Sequence, residues 1–230
     1  MTAKEKTKNK KKEVREKSVK KETEIKNKKP MTTKPNVKLF NKWESNIEVK
    51  DFGLRRYINL TPRILPRSSG IYRQRFHKSK MHIIERMALH MLTSGHASKK
   101  HKITSGHFGG GFHNALSIVE NALEKIEEKT KKNPIEVFVR ALENAAICEE
   151  ITTYKMGGNV ARQVVITSPQ RRVDKALRLF SQAAYRGSFN KKGSVVNSLV
   201  NEIIAAYENS NKSFAIKERN RIEQEASGAR

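Results

Sequence analysis

A chain of 230 residues with 48 Lys and Arg against 23 Asp and Glu carries a formal net charge of +25, and so much like charge on one small body repels itself unless a polyanion neutralises it. RNA, DNA or an anionic membrane is therefore the expected partner. No apolar run approaches the roughly 20 residues that span a bilayer, and the N-terminus lacks the apolar core of a signal peptide, so a soluble intracellular protein is expected.

Residues 1–38 are dominated by lysine with some glutamate and hold almost nothing that could form a core. Such composition cannot offset the entropy lost on ordering, so a disordered basic arm suited to coating phosphate is expected. Residues 39–230 then read as one helical domain. Between Leu39 and Phe52, the sparse apolar residues Phe40, Trp43, Ile47 and Val49 predict a short packed segment, with Trp43 as its anchor.

Residues 60–80 form an irregular, extended strap, because Pro62 and Pro66 each remove a backbone donor and bias the preceding residue away from helix. Along it Arg63, Arg67, Arg73, Arg75, Lys78 and Lys80 alternate with Tyr72, Phe76 and His77. Guanidinium groups for phosphates beside rings that stack on unpaired bases are an RNA-binding pattern.

A first helix is predicted from about Ser79 to Thr93, on the spacing of Ile84, Met87, Ala88, Met91 and Leu92, ending at Gly95. The loop after it gathers Lys99, Lys100, His101 and Lys102. His96, His101, His107 and His113 are five and six residues apart, which places no pair on one helical face, and no cysteine or carboxylate lies among them. No metal is expected. The Gly-rich run from Gly106 to Phe112 lacks the Gly-Lys-Ser/Thr of a phosphate loop.

The second helix, about Asn114 to Lys131, turns Leu116, Val119, Ala122, Leu123 and Ile126 inward. Asn133 caps a third that begins with Pro134 and carries Ile135, Val137, Phe138, Ala141, Leu142 and Ala145. Cys148 follows in the same apolar pattern and is expected to pack in the core. As a single cysteine it excludes an internal disulfide or a multi-cysteine zinc site.

Residues 151–168 carry the one strand pattern. Val160, Arg162, Val164 and Ile166 alternate with Ala161, Gln163, Val165 and Thr167, and Gly157-Gly158 supplies the positive φ of a tight turn. An isolated hairpin is marginal in water, so this arm must lean on the helices or on a partner.

A fourth helix starts near Gln170 with an apolar stripe of Val173, Ala176, Leu177, Phe180 and Ala184. Arg171, Arg172, Lys175, Arg178 and Arg186 occupy much of the remainder with few carboxylates between them, a surface suited to phosphate. Lys191 and Lys192 lie in the next loop. A fifth helix with Val195, Val196, Leu199, Val200, Ile203, Ile204 and Tyr207 is apolar enough to sit near the centre, and Ser213 caps a sixth.

The fold class is therefore mainly α: a single bundle of about six helices, one protruding β-hairpin and a disordered basic tail. No paired carboxylates, Ser-His set or cofactor motif emerges, so no enzyme and no cofactor is expected. Polyanion recognition is the chemistry written here, with a basic DNA-binding or chromatin protein as the alternative to an RNA binder.

LTPRILPRSSGIYRQRFHKSK, the IIERM helix, NPIEVFVRALENA, GGNVARQVVITSPQRRVDKAL and NKSFAIKERNRIEQEA occur in that order. Together they resemble the universal small-subunit ribosomal protein S-seven family, called S-five in eukaryotes, of the archaeal and eukaryotic type. The likeness covers about Leu60 to Arg230, and the arm before residue 39 matches no common part of the family. It implies a structural rRNA-binding protein of the cytoplasmic ribosome that nucleates assembly of the small-subunit head beside neighbouring head proteins, with no homo-oligomer. Lys99, Lys100, Lys102, Arg162, Arg171, Arg172, Lys175 and Arg178 would contact rRNA. The tip residues Lys155, Met156, Gly157, Gly158 and Asn159, with Arg219 and Arg230 of the C-terminal region, would border the exit-site tRNA and mRNA.

Overall fold

The helix of residues 195–207 buries Leu199, Val200, Ile203 and Ala206, and four other helices pack against it. A computed structural model describes residues 37–95 and 110–229. The arm over residues 1–36, Lys99, Lys100 and Lys102, the histidines His96, His101 and His107, and Arg230 lie outside the described residues. Six α-helices and one hairpin are found among the described residues: α1 Ile83–Met91, α2 Phe112–Thr130, α3 Pro134–Ala145, β1 Glu149–Met156, β2 Asn159–Ile166, α4 Pro169–Ser188, α5 Val195–Tyr207 and α6 Phe214–Ser227. The central α5 contacts α2, α3, α4 and the N-terminus of α6, while α6 also packs against α4 and β1.

The stripes that periodicity marks face the core, fully buried in α2 and α4 and partly so at Val195, Val196, Ile204 and Tyr207 of α5, so apolar transfer drives the assembly. Leu116, Val119, Ala122, Leu123 and Ile126 of α2 are buried, as are Val173, Ala176, Leu177, Phe180 and Ala184 of α4. The expected caps are in place. Asn133 accepts from Ile135 N–H at 3.1 Å with Pro134 in the first turn, and Ser213 accepts from Ile216 N–H at 3.2 Å. Each satisfies an orphan donor of its helix N-terminus.

Helix α1 starts four residues later than its pattern predicts. His77–Lys80 form a 3-10 turn and Met81 is extended, so the helix begins only where the buried residues Ile83 and Ile84 begin. His82 caps it, Nδ1 accepting from Ile84 N–H at 3.2 Å.

Trp43 is buried, as an anchor should be, and its Nε1–H donates to Glu127 of α2 at 2.7 Å. Cys148 corrects the sequence reading: its residue is exposed. Helix α3 ends at Ala145 and Ala146 is already extended (φ −71°, ψ 121°), so the helical stripe does not reach Cys148.

The strands pair antiparallel from Glu149↔Ile166 to Met156↔Asn159, leaving Gly157 and Gly158 as a two-residue turn. Gly157 has φ 59°, the first-position glycine of a hairpin turn. The two-stranded arm gains its stability at the base. Cys148 N–H donates to Glu223 of α6 at 2.9 Å, and Glu150 at the start of β1 is gripped by Arg171 of α4.

Candidate nucleic-acid interface

The strap, the first turns of α4 and the outer side of α6 enclose an open groove of about 730 Å³. Arg75, Phe76 and Lys78 line it from the strap, Arg171, Lys175 and Arg178 from α4, and Glu218 from α6. Arg171, Lys175 and Arg178 recur at spacings of three and four because α4 turns its apolar stripe to the core and this stripe outward. Five permanent cations against the carboxylates of Asp174 and Glu218 give the groove the sign that attracts an anionic polymer.

Asp174 organises the inner wall. Arg86 Nη2 lies 2.8 Å from its Oδ1, Lys78 Nζ 2.9 Å from Oδ2, and His90 Nε2 3.6 Å from Oδ1. The Arg86 side chain is fully buried, and its other terminal nitrogen donates to Tyr57 O at 2.7 Å. Burial pushes the Asp174 carboxyl up, but His90, Arg86 and Lys78 together outweigh it and hold the group well below the usual carboxylate range. One carboxylate thus fixes the strap to α4 and leaves surplus positive charge around itself.

Glu150 plays a similar part at the hairpin base. It accepts from Arg171 Nε at 2.9 Å and Nη2 at 2.8 Å, and Lys175 Nζ lies 3.3 Å away. The Arg171 hydrogen bond, against an opposing burial effect, holds the Glu150 carboxyl at about 2. The Arg171 side chain remains 61% exposed while so aligned, which presents a guanidinium to solvent with little rotamer freedom left to lose.

The other expected cations divide by environment. Arg75 lies over the Phe76 ring at 5.0 Å, and that ring, in a left-handed backbone conformation, is exposed. Arg67, Arg73 and Lys80 are exposed on the strap, Arg162 on β2, Arg178 on α4, and Lys191 and Lys192 in the loop after α4. Lys155 and Gly157 to Asn159 form the exposed tip; the side chain of Met156 lies outside the description. Arg186 packs its guanidinium 4.3 Å from the Phe214 ring centroid. Arg63, half-buried, donates to Tyr72 Oη at 3.2 Å.

Arg172 and Arg219 serve the protein itself. Arg172, next to the groove-lining Arg171, donates to Asp51 Oδ2 at 3.0 Å with its side chain 16% exposed. Arg219 donates to Asn144 O and to Asn220 Oδ1, tying α6 to the end of α3. Sequence reasoning does not single out Asp174, whose partners Lys78 and Arg86 lie far away along the chain, nor Glu218, whose pairing with Arg221 three residues on is local and gives no sign that it lines a groove. Among the described residues no group of three or more His, Cys, Asp or Glu side chains is placed to hold a metal, and no helix is long and apolar enough to cross a membrane.

Comparison with known proteins agrees with the likeness noted in the sequence. The chain is 48% identical over 196 residues to the small ribosomal subunit protein uS7 of Nanoarchaeum equitans, covering 84% of this chain and 99% of that protein. It is 40% identical over 196 residues to the protein of the same name from Methanothrix thermoacetophila, covering 84% of this chain and 100% of the relative. For that of Methanococcoides burtonii the figure is 39% over 195 residues, or 84% and 99% of the two chains. The sequence model of one family matches residues 54–230, a span that includes every described residue of the groove. On these matches the chain belongs to the ribosomal protein S7p/S5e family.

Proposed function

We propose that this protein is a structural, non-catalytic component of the small ribosomal subunit that binds rRNA through the groove between strap and α4. One observation carries the reading: Arg75, Lys78, Arg171, Lys175 and Arg178, from two segments about a hundred residues apart in sequence, converge on one concave surface. Phosphate contacts there supply affinity and register, while fit to a folded RNA junction supplies specificity. The exposed Phe76 ring beside Arg75 adds a surface for an unpaired base.

In this reading the protein is a primary rRNA binder that nucleates assembly of the subunit head in the cytoplasm, beside other head proteins. Its hairpin tip and C-terminal helix border the exit-site tRNA and the mRNA path. The protrusion of the hairpin supports this, since Tyr154 and Val160 near the tip are exposed. The loop cations Lys99, Lys100 and Lys102 and the N-terminal arm join the phosphate contacts.

Titration of the purified protein with transcribed small-subunit rRNA at several salt concentrations tests the reading. Log affinity is expected to fall linearly with log salt, by about 0.7 to 0.9 for each phosphate contact. Affinity that barely changes with salt, or equal affinity for duplex DNA, would overturn it.

A further inference from the structure

The groove leaves one exposed turn without a role. Phe52 is 84% exposed, yet the backbone on both sides of it is firmly held. Asp51 N–H donates to Glu143 at 3.0 Å, while the Asp51 carboxylate accepts from Gly53 N–H at 2.8 Å and from Arg172 at 3.0 Å. A Cβ at position 53 would lie 3.2 Å from Asp51 Oδ1 and 3.6 Å from Arg172 Nη1, so glycine keeps that pair uncrowded. Downstream, Leu54 and Ile58 are buried in the core, and Tyr57 O accepts from the buried Arg86 at 2.7 Å.

A fixed backbone therefore holds the Phe52 ring out in solvent. Leu54 N–H and Arg55 N–H both donate to Asp51 O at 3.1 Å, and this helical turn sends Leu54 and Ile58 inward while Arg55 and Arg56 face out, both exposed. Neither arginine has an ion-pair partner among the described residues. A rigid, exposed ring flanked by unpaired guanidinium groups matches what an unpaired base between two phosphates requires. The turn flanks the same first turn of α4 as the groove, because Arg172 holds Asp51 while Arg171 lines the groove.

We infer that residues 51–56 form a second RNA contact, in which Phe52 stacks on an unpaired base and Arg55 and Arg56 hold the adjoining phosphates. The inference rests on the rRNA-binding reading and extends the contact surface beyond the groove. The flanking charge favours RNA over an apolar protein surface as the occupant.

Full-length Phe52→Ala, Phe52→Leu and Phe52→Trp variants, titrated with transcribed small-subunit rRNA across a salt series, test it. Loss of one base stack is expected to weaken binding about 5- to 150-fold in the Ala and Leu variants with an unchanged salt slope, while Trp retains affinity. Arg55→Ala with Arg56→Ala is expected to lower the slope by about 1.5. If the Ala variant binds like the parent while Arg171→Ala with Arg178→Ala loses affinity, the stacking platform is wrong and the rRNA reading stands. If Leu binds as well as Phe, the contact is apolar rather than stacked and the inference fails. If the parent itself does not bind rRNA, both fail together.

Discussion

Arg86 and Asp174 form an ion pair, Nη2 to Oδ1 at 2.8 Å, in which the guanidinium has no exposure to solvent and the carboxylate keeps 26%. The pair joins α1 to α4, and Lys78 of the strap shares the same carboxylate. Removing one member of a buried pair leaves the other charged without compensation. Asp174→Asn is therefore expected to lower unfolding free energy by about 3 kcal/mol or more. Replacing both residues with apolar side chains, Arg86→Met with Asp174→Leu, should recover most of that loss. Chemical denaturation of the three proteins measures both effects, and a double variant as unstable as the single one would show that the pair is not what holds these helices.

His82 gives the protein a mild-acid sensitivity. The side chain is almost fully buried, and burial, with a smaller contribution from the charge of Arg63, lowers its pKa from 6.5 to about 4. Between these values the unfolded chain binds a proton that the folded protein does not, so stability declines as pH falls from 6.5 to about 4 and the contribution then levels off. A depression of this size corresponds to about 3 kcal/mol across the window. His82→Asn keeps an oxygen acceptor for Ile84 N–H and abolishes the titration. Its denaturation midpoint should be flatter than that of the parent between pH 6.5 and 4.

Glu150 titrates lower. Its carboxyl, held at about 2 against an ordinary 4.5 chiefly by Arg171, contributes stability that is present above pH 4.5 and is lost as pH falls toward 2. Asp174 is depressed as well, so both drive unfolding in the same acid range. Glu150→Gln is expected to remove part of the slope below pH 4.5 and to loosen the hairpin base, seen as faster amide exchange across β1 and β2. An unchanged acid limb would mean that solvent screens the half-exposed Arg171 partner completely.

How far these features are legible in the sequence depends on how local their causes are. Helical stripes such as Val173, Ala176, Leu177, Phe180 and Ala184 are local, and all are buried. Caps are equally local, as Asn133 and Ser213 demonstrate. Charge pairing is not. Lys78 and Arg86 lie 96 and 88 residues before Asp174, and no spacing rule joins them. Arg171 and Arg172 are neighbours with the same charge, yet the helix sends one to the groove and the other to Asp51. Cys148 misled because an apolar pattern continues past the residue where the backbone leaves the helix.

Glu202 of α5 supports the C-terminal helix from below. It is nearly buried and accepts from Ser213 Oγ at 2.7 Å, Phe214 N–H at 3.1 Å and Ala215 N–H at 2.9 Å, so a negative charge meets the donors of the α6 N-terminus. Glu202→Ala strands these donors and is expected to cost on the order of 3 kcal/mol. Because Glu223 of the same helix holds Cys148 N–H, amide protection at the hairpin base should fall as well. Protection lost only within α6 would show that the hairpin is anchored by Arg171 alone.

The neighbours Arg171 and Arg172 separate binding from folding. Arg171 is a largely exposed side chain in the groove, so Arg171→Ala together with Arg178→Ala should lower the salt slope of rRNA binding by about 1.5, with the loss of stability confined to the hairpin base, where Lys175 still lies 3.3 Å from Glu150. Arg172 is mostly buried against Asp51 and lies 3.5 Å from Cys148 Sγ. Arg172→Ala leaves Asp51 without its cation and opens space beside the 51–58 segment, so it should lower the unfolding midpoint more than the double groove variant does. Measuring rRNA affinity and denaturation on the same preparations distinguishes the two. The expected result is a crossing pattern, with the groove variant weak in binding and stable, and the Arg172 variant less stable with a salt slope close to that of the parent. Equal loss of stability in both would mean that the groove cations are structural, and that α4 contributes to RNA binding only by its position.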